Sequence, residues 1–235
     1  MKKLNGILSV AFGTFVLPCV CMASNVDLYG DLNIRPERDS VGRMYMGLRG
    51  DLSFLSWKNT YKDEAGTKLD SDSFSLKPVV GVDVFFGGHP AKNWRADLEF
   101  GYTGKCSETE TEYYLNYPTE KTEFNLETIY TSVNGYYDFW RGVYVGAGAG
   151  IAIVKTSIES SVVTDKSATN FSPMGALMFG WSYKLDEKIN LDLRYRFSLY
   201  EGGDLDLDTG GGTEVKTEVG LIKDNTVSVG IRYSF

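Results

Sequence analysis

Histidine occurs once in the 235 residues, at position 89, and cysteine three times. A lone imidazole gives no histidine cluster for a metal site and leaves little scope for an acid–base triad. Cys19 and Cys21 lie near the N-terminus, so Cys106 stands alone beyond them and no intrachain disulfide can brace the rest. A basic excess is also missing: 24 Lys and Arg face 31 Asp and Glu, a formal charge of -7. Without a basic stripe to neutralise phosphates, nucleic acid is not expected as a partner. After residue 23 no run of 18 apolar residues occurs, which excludes a bundle of membrane helices. Aromatics (14%) and 26 glycines are abundant instead, a balance that favours strands and tight turns. The length suits one domain, or two small ones.

The first 23 residues differ from the rest. Lys2 and Lys3 precede an uncharged apolar run, Ile7 to Val20, and Cys21-Met22-Ala23 offers small residues at the -3 and -1 positions of a cleavage site. The run is shorter than the roughly 20 residues a span needs, and Pro18 interrupts its end. Residues 1–23 therefore read as a secretory signal peptide. Pro18 before Cys19 and Val20 before Cys21 are poor fits to lipoprotein processing, which sets a lipid anchor aside. Residues 24–41 are expected to be a periplasmic N-terminal lead and 42–235 the folded domain.

Beyond residue 42 the pattern has period two. Met46, Leu48, Leu52 and Phe54 alternate with Arg49, Asp51 and Ser53; Leu76, Pro78, Val80, Val82, Val84 and Phe86 alternate with Lys77, Gly81 and Asp83. Trp94, Ala96, Leu98 and Phe100 alternate with Arg95, Asp97 and Glu99, and Val143 to Ile153 alternate with Tyr144 and three glycines. The same holds from Leu177 to Tyr183, from Leu191 to Leu199 against Asp192, Arg194 and Arg196, and from Val227 to Phe235 against Ser228, Gly230 and Arg232. An eighth segment, 124–137, has an ambiguous phase: Ile129 and Val133 share one parity, Phe124, Leu126 and Tyr130 the other, and a bulge would reconcile them.

Connections alternate too. Short ones fall at Gly87–Asn93, Asp138–Gly142 and Asp186–Lys188, and long polar ones at 58–72, 104–121, 159–170 and 201–224. Alternation alone would fit a soluble β-sandwich. Short turns at one end with long loops at the other, and segments of about 10 residues, fit an eight-stranded antiparallel transmembrane β-barrel. Charges of both signs on the inner face support that reading. So do aromatics at segment ends, Trp57, Trp94, Trp140, Trp181 and Tyr233, where interface girdles belong.

Thr226-Val-Ser-Val-Gly-Ile-Arg-Tyr-Ser-Phe235, with its terminal Phe, resembles the signal by which the barrel assembly machinery recognises Gram-negative outer-membrane barrels. With Asn134-Gly-Tyr-Tyr-Asp-Phe139 and Gly142-Val-Tyr-Val-Gly-Ala-Gly-Ala-Gly-Ile151, residues 42–235 resemble the small outer-membrane β-barrels, a group similar to the membrane domain of outer membrane protein A and to the opacity and surface-antigen proteins. The resemblance implies the bacterial outer membrane as location, Tyr233 and Phe235 as assembly signal, and membrane lipid and lipopolysaccharide as surroundings. A periplasmic peptidoglycan-binding domain like that of outer membrane protein A is lacking, which puts wall anchoring in doubt. Members of the group act as structural barrels, adhesins, antigens or narrow pores, so the fold alone does not choose among them.

Barrel enzymes that the chain resembles use His with Asp or Ser on the extracellular half. His89 instead falls in a short turn on the opposite side, so no enzymatic activity and no cofactor are expected. Gly146-Ala-Gly-Ala-Gly150 has no following helix and is not a dinucleotide loop; its glycines make room for bulky neighbours. Asp204, Asp206 and Asp208 resemble a calcium loop, but the spacing fails at the glycine and at Val215, and an acidic surface loop is the better reading. Inside so narrow a barrel, charges must pair. Arg49, Lys77, Arg95, Arg194, Arg196 and Arg232 are thus expected to interleave with Asp51, Asp83, Asp97, Glu99 and Asp192 as a closed ionic plug. The function expected is a non-enzymatic surface barrel, structural, antigenic or adhesin-like, with Tyr113, Tyr114 and Tyr117 suited to a host or cell-surface ligand. A small porin is the alternative.

Overall fold

The computed structural model describes residues 41–62, 68–114, 117–160, 166–208 and 214–235; the expected signal peptide and all but the last residue of the expected lead lie outside them. Eight strands follow in order: β1 Met44–Lys62, β2 Lys68–Ala91, β3 Trp94–Tyr114, β4 Tyr117–Asp138, β5 Val143–Ser160, β6 Lys166–Lys184, β7 Ile189–Asp208 and β8 Glu214–Ser234. Each pairs antiparallel with the next, and β1 also pairs with β8, so the sheet closes into a barrel. Closure leaves neither β1 nor β8 as an unpaired edge.

The period-two pattern sets the faces. Leu48, Val84, Phe86, Phe100, Leu177, Val229 and Ile231 are exposed on the outside, whereas Arg49, Asp83, Glu99, Arg194 and Arg232 are buried inside. A one-residue slip of β1, β3, β7 or β8 would turn its arginines outward, so the charges themselves specify register there.

The turns at one end are tight. Lys92 and Asn93 join β2 to β3, with Asn93 in the left-handed region at φ 65°, a conformation that asparagine tolerates. Between β4 and β5 the 3-10 turn Trp140–Gly142 carries Arg141 and Gly142 at φ 56° and 80°. A Cβ at Gly142 would also strike the Ser182 carbonyl, so glycine is needed twice over. Trp181 Nε1 donates to the Arg141 carbonyl at 3.0 Å and pins this turn.

The opposite end departs from expectation. Much of 58–72, 104–121, 159–170 and 201–224, read as loops, is paired strand: β3 and β4 pair as far as Tyr114 with Tyr117, and β7 and β8 as far as Asp208 with Glu214. Strands of 18 to 24 residues far exceed the span of an apolar band, which is about 25 Å tall and takes about 10 residues per strand. Beyond the band the β3 sequence from Ser107 to Glu112 is polar at every position, whereas β7 still alternates Leu205 and Leu207 with acids, and backbone pairing continues in both. Asp204, Asp206 and Asp208 belong to this extension of β7 and not to a loop.

One further expectation is corrected. β4 pairs with β5 without interruption from Thr122 to Asp138, so the segment 124–137 has no bulge. Phe124, Leu126 and Tyr130 are buried inside and Ile129 and Val133 exposed outside. The irregularity lies in the facing strand, between Thr103 and Cys106 of β3.

Candidate functional site in the barrel lumen

Inward residues, read from the short-turn end, form three levels. Along β1 they run Tyr45, Arg49, Asp51, Ser53, Leu55, Trp57, and along β7 Asp192, Arg194, Arg196, Ser198, Tyr200. Aromatic and charged groups come first, then the densest charges, then an apolar level.

At the first level, Arg95 Nε donates to both Asp138 oxygens at 3.1 and 2.9 Å. Its guanidinium lies 4.5 Å from the Tyr144 ring centroid, and that of Arg232 5.2 Å from Tyr45. Arg232 also donates to Ser182 Oγ at 3.1 Å. His89 is buried here on β2, its ring edge-on to Tyr45 at 5.4 Å. It is therefore an inward strand residue near the short-turn end, not the turn residue expected from sequence.

Glu99 is the hub of the second level. It accepts hydrogen bonds from Arg49 Nη1 at 3.1 Å, Arg194 Nη1 at 2.5 Å and Arg196 Nη1 at 2.8 Å, with Arg194 Nη2 reaching its second oxygen at 3.2 Å. Asp83 bridges Arg49 at 3.2 Å and Arg194 at 2.7 Å, and Asp192 accepts from Arg49 Nε at 3.0 Å. Forked guanidinium contacts of this type are the strong class of ionic hydrogen bond. Aromatic faces complete the packing: Arg49 stands 3.6 Å from the Phe85 centroid and Arg196 4.2 Å from Tyr130.

The expected charge set is largely brought together, with differences. Asp97 is held by neutral donors, Asn134 Nδ2 at 3.0 Å, Tyr136 at 3.3 Å and Tyr45 at 3.4 Å. Asp51 is buried in register with Gly81 and Ser228. Lys77 is only half-buried, opposite Leu55, above the ionic level. It follows Leu76, whose φ of 55° marks an irregularity that carries β2 out of simple alternation. Two participants were missed: Asp138, read as part of a turn, and Asp224, read as the end of a loop. Asp224 stands 3.9 Å from Arg196 and accepts from Thr226 at 2.9 Å. Its even number, shared with Arg232 and Ser228, was the available signal.

The third level is apolar. Leu55, Trp57, Phe124, Leu126, Val154, Val219 and Ile222 are buried together with the Cys106 thiol. Trp57 stacks on Phe124 with centroids 6.0 Å apart and planes at 25°. The expected girdle place for Trp57 is thus wrong: its odd parity, shared with Arg49, directs it inward. Trp94, Trp181 and Tyr233 are exposed outside at the short-turn end, 51%, 38% and 38% accessible; the Trp140 side chain lies outside the described residues. The β5 glycines make room, since a Cβ would strike the Tyr136 ring at Gly146, the Asn134 amide at Gly148 and the Thr131 carbonyl at Gly150.

Chemically, this arrangement gathers paired charges and packed apolar groups inside the barrel. A carboxylate saturated by three guanidinium groups is not placed as a general base. Among the described residues, no group of three or more His, Cys, Asp or Glu side chains is arranged to hold a metal.

A closed eight-stranded barrel, apolar outside and charged within, defines the class of small membrane β-barrels. The sequence profile of the outer membrane protein beta-barrel domain matches residues 20–235, and the chain belongs to that family. It is accordingly a protein of the bacterial outer membrane. A Rickettsia canadensis protein, named as a candidate adhesin, is 30% identical over 151 residues, covering 58% of this chain and 64% of that protein. A Rickettsia typhi protein named likewise is 29% identical over 152 residues, with the same coverage. The chain thus spans a little under two thirds of these relatives. Among solved structures, Neisserial surface protein A is 17% identical, with 82% of this chain and 97% of that one covered and a TM-score of 0.44.

Proposed function

We propose that this barrel is a non-enzymatic surface protein, adhesin-like, which presents its extended hairpins to a host or cell-surface ligand while its lumen stays shut. This reading is supported by an ionic level and a Trp57–Phe124 level lying one above the other inside the barrel, with strand ladders that continue past them. A porin would need a continuous water path through both. The naming of the Rickettsia relatives points the same way. Membrane lipid and lipopolysaccharide surround the barrel in this proposal, and the assembly machinery reads Tyr233 and Phe235. The test is display of the full chain on a non-adherent Gram-negative host, scored for attachment to cultured cells. Attachment above vector control, lost when the β3–β4 hairpin tip is replaced, is expected. Absence of attachment combined with a large stable conductance of the purified protein would replace this reading with the porin.

A further inference from the structure

The outer wall carries an open-sided apolar groove of about 470 Å³ across β8, β1, β2 and β3. Met46 and Leu48 of β1, Val84 and Phe86 of β2, Phe100 of β3 and Tyr233 of β8 line it. Gly47, between Met46 and Leu48, faces inward, where the Phe85 ring occupies the space a Cβ would need. Further along β1, a Cβ at Gly50 would meet nothing within 4 Å, so the depression has no side chain to close it.

The short-turn mouth of this groove is basic. Lys188 Nζ stands 6.0 Å from the Tyr233 ring centroid, and exposed Arg43 directly precedes Met44 at the foot of β1. Around the same rim Arg43, Lys92, Arg141, Lys184 and Lys188 are exposed, against the exposed acids Asp186 and Glu187. At the other end of the band Lys105 pairs with Glu123 at 3.8 Å, and Lys155 lies opposite Glu127 in register. Lys58 and Lys223 are exposed at that end as well, so both ends carry basic groups, and only the short-turn end lies at the phospholipid leaflet.

We propose that the groove holds one acyl chain of an anionic glycerophospholipid of the periplasmic leaflet, with its phosphate at Arg43 and Lys188. In an outer-membrane barrel the short turns face the periplasm, which places this mouth at the phospholipid headgroups. Basic side chains at a membrane surface attract anionic headgroups, and an apolar trough beside them fixes the chain. Neither feature alone selects a lipid. Together they favour an anionic diacyl lipid over a zwitterionic one.

The full-length barrel, purified in mild detergent with equal phosphatidylglycerol, phosphatidylethanolamine and lipid A, is examined by native mass spectrometry, with heat-modifiable migration as the folding control. Wild type is expected to retain phosphatidylglycerol preferentially. Arg43→Gln and Lys188→Gln should each reduce that preference about fivefold. Val84→Trp, which fills the groove from an exposed position, should lower the number of lipids retained, while Lys155→Gln at the other end changes neither. Equal retention of both phospholipids overturns the proposal, as does preferred retention of lipid A. An unchanged lipid count in Val84→Trp removes the groove from it, and a Lys155→Gln effect equal to that of Lys188→Gln shows general charge attraction in place of a site.

Discussion

Arg194 and Glu99 come from strands on different sides of the barrel yet meet through a two-pronged contact, Nη1 at 2.5 Å and Nη2 at 3.2 Å. Arg49 and Arg196 share the same carboxylate, so one acid balances much of the central charge.

Glu99→Gln should therefore be costly. Three buried guanidinium groups would lose their common counter-charge, and breaking a buried ionic cluster by removing one partner costs about 3–5 kcal/mol. Urea unfolding in lipid vesicles, followed by tryptophan fluorescence, measures it. Glu123→Gln, at the partly exposed pair with Lys105, should change stability by less than about 1 kcal/mol. Equal effects would mean that the central contacts contribute no more than surface ones.

Wild type should show no steady current in planar bilayers. Arg196→Ala or Asp97→Ala should also remain silent, because the apolar level still blocks the tube above them. Only the combination of a charge removal with Trp57→Ala is expected to conduct. Steady conductance in Arg196→Ala alone would show that the apolar level does not seal.

Gly148→Ala forces a methyl onto the Asn134 amide, which itself donates to Asp97 and Glu99. A loss of about 1–3 kcal/mol is expected, the usual range for overpacking. At Gly135, on the same pair of strands, a Cβ meets nothing within 4 Å, so Gly135→Ala should lie near wild type. Matched unfolding curves of the two variants distinguish packing from intrinsic strand propensity.

Hydrogen exchange tests the extended ladders. Between Cys106 and Tyr114 in β3 the alternate amides that face β4 should exchange well below unfolded-chain rates. Exchange at random-coil rates throughout that stretch would restore the long loop that the sequence pattern suggests.

The membrane-crossing part was legible because two environments of opposite character flank each strand. Leu48 and Arg49 cannot exchange places, and their parity propagates along β1. Legibility failed where the two sides become alike. In the upper lumen both faces are apolar, so Leu126 and Ile129 gave conflicting phases although β4 is regular. Along the β3 extension Ser107 to Glu112 are polar at every position and read as a loop, and Asp204 to Asp208 read as a loop because the acids and the glycines beside them outweighed the alternation of Leu205 and Leu207. Trp57 was misplaced because aromatics near strand ends suit either an interface or a core. Asp224 was lost because the strand boundary was set one turn of the pattern too late.

The hub also bears on how the molecule enters its membrane. Arg49 and Glu99 arrive on β1 and β3, but Arg194 and Arg196 come only with β7. A sheet of six strands left open in hydrocarbon would present the first charges without the later ones, an arrangement lipid penalises heavily. Insertion strand by strand into bare lipid is thus disfavoured, and the nascent sheet must stay hydrated or sheltered until its final hairpin arrives. Closure and discharge of the interior then coincide, which makes biogenesis of this barrel a single committed event.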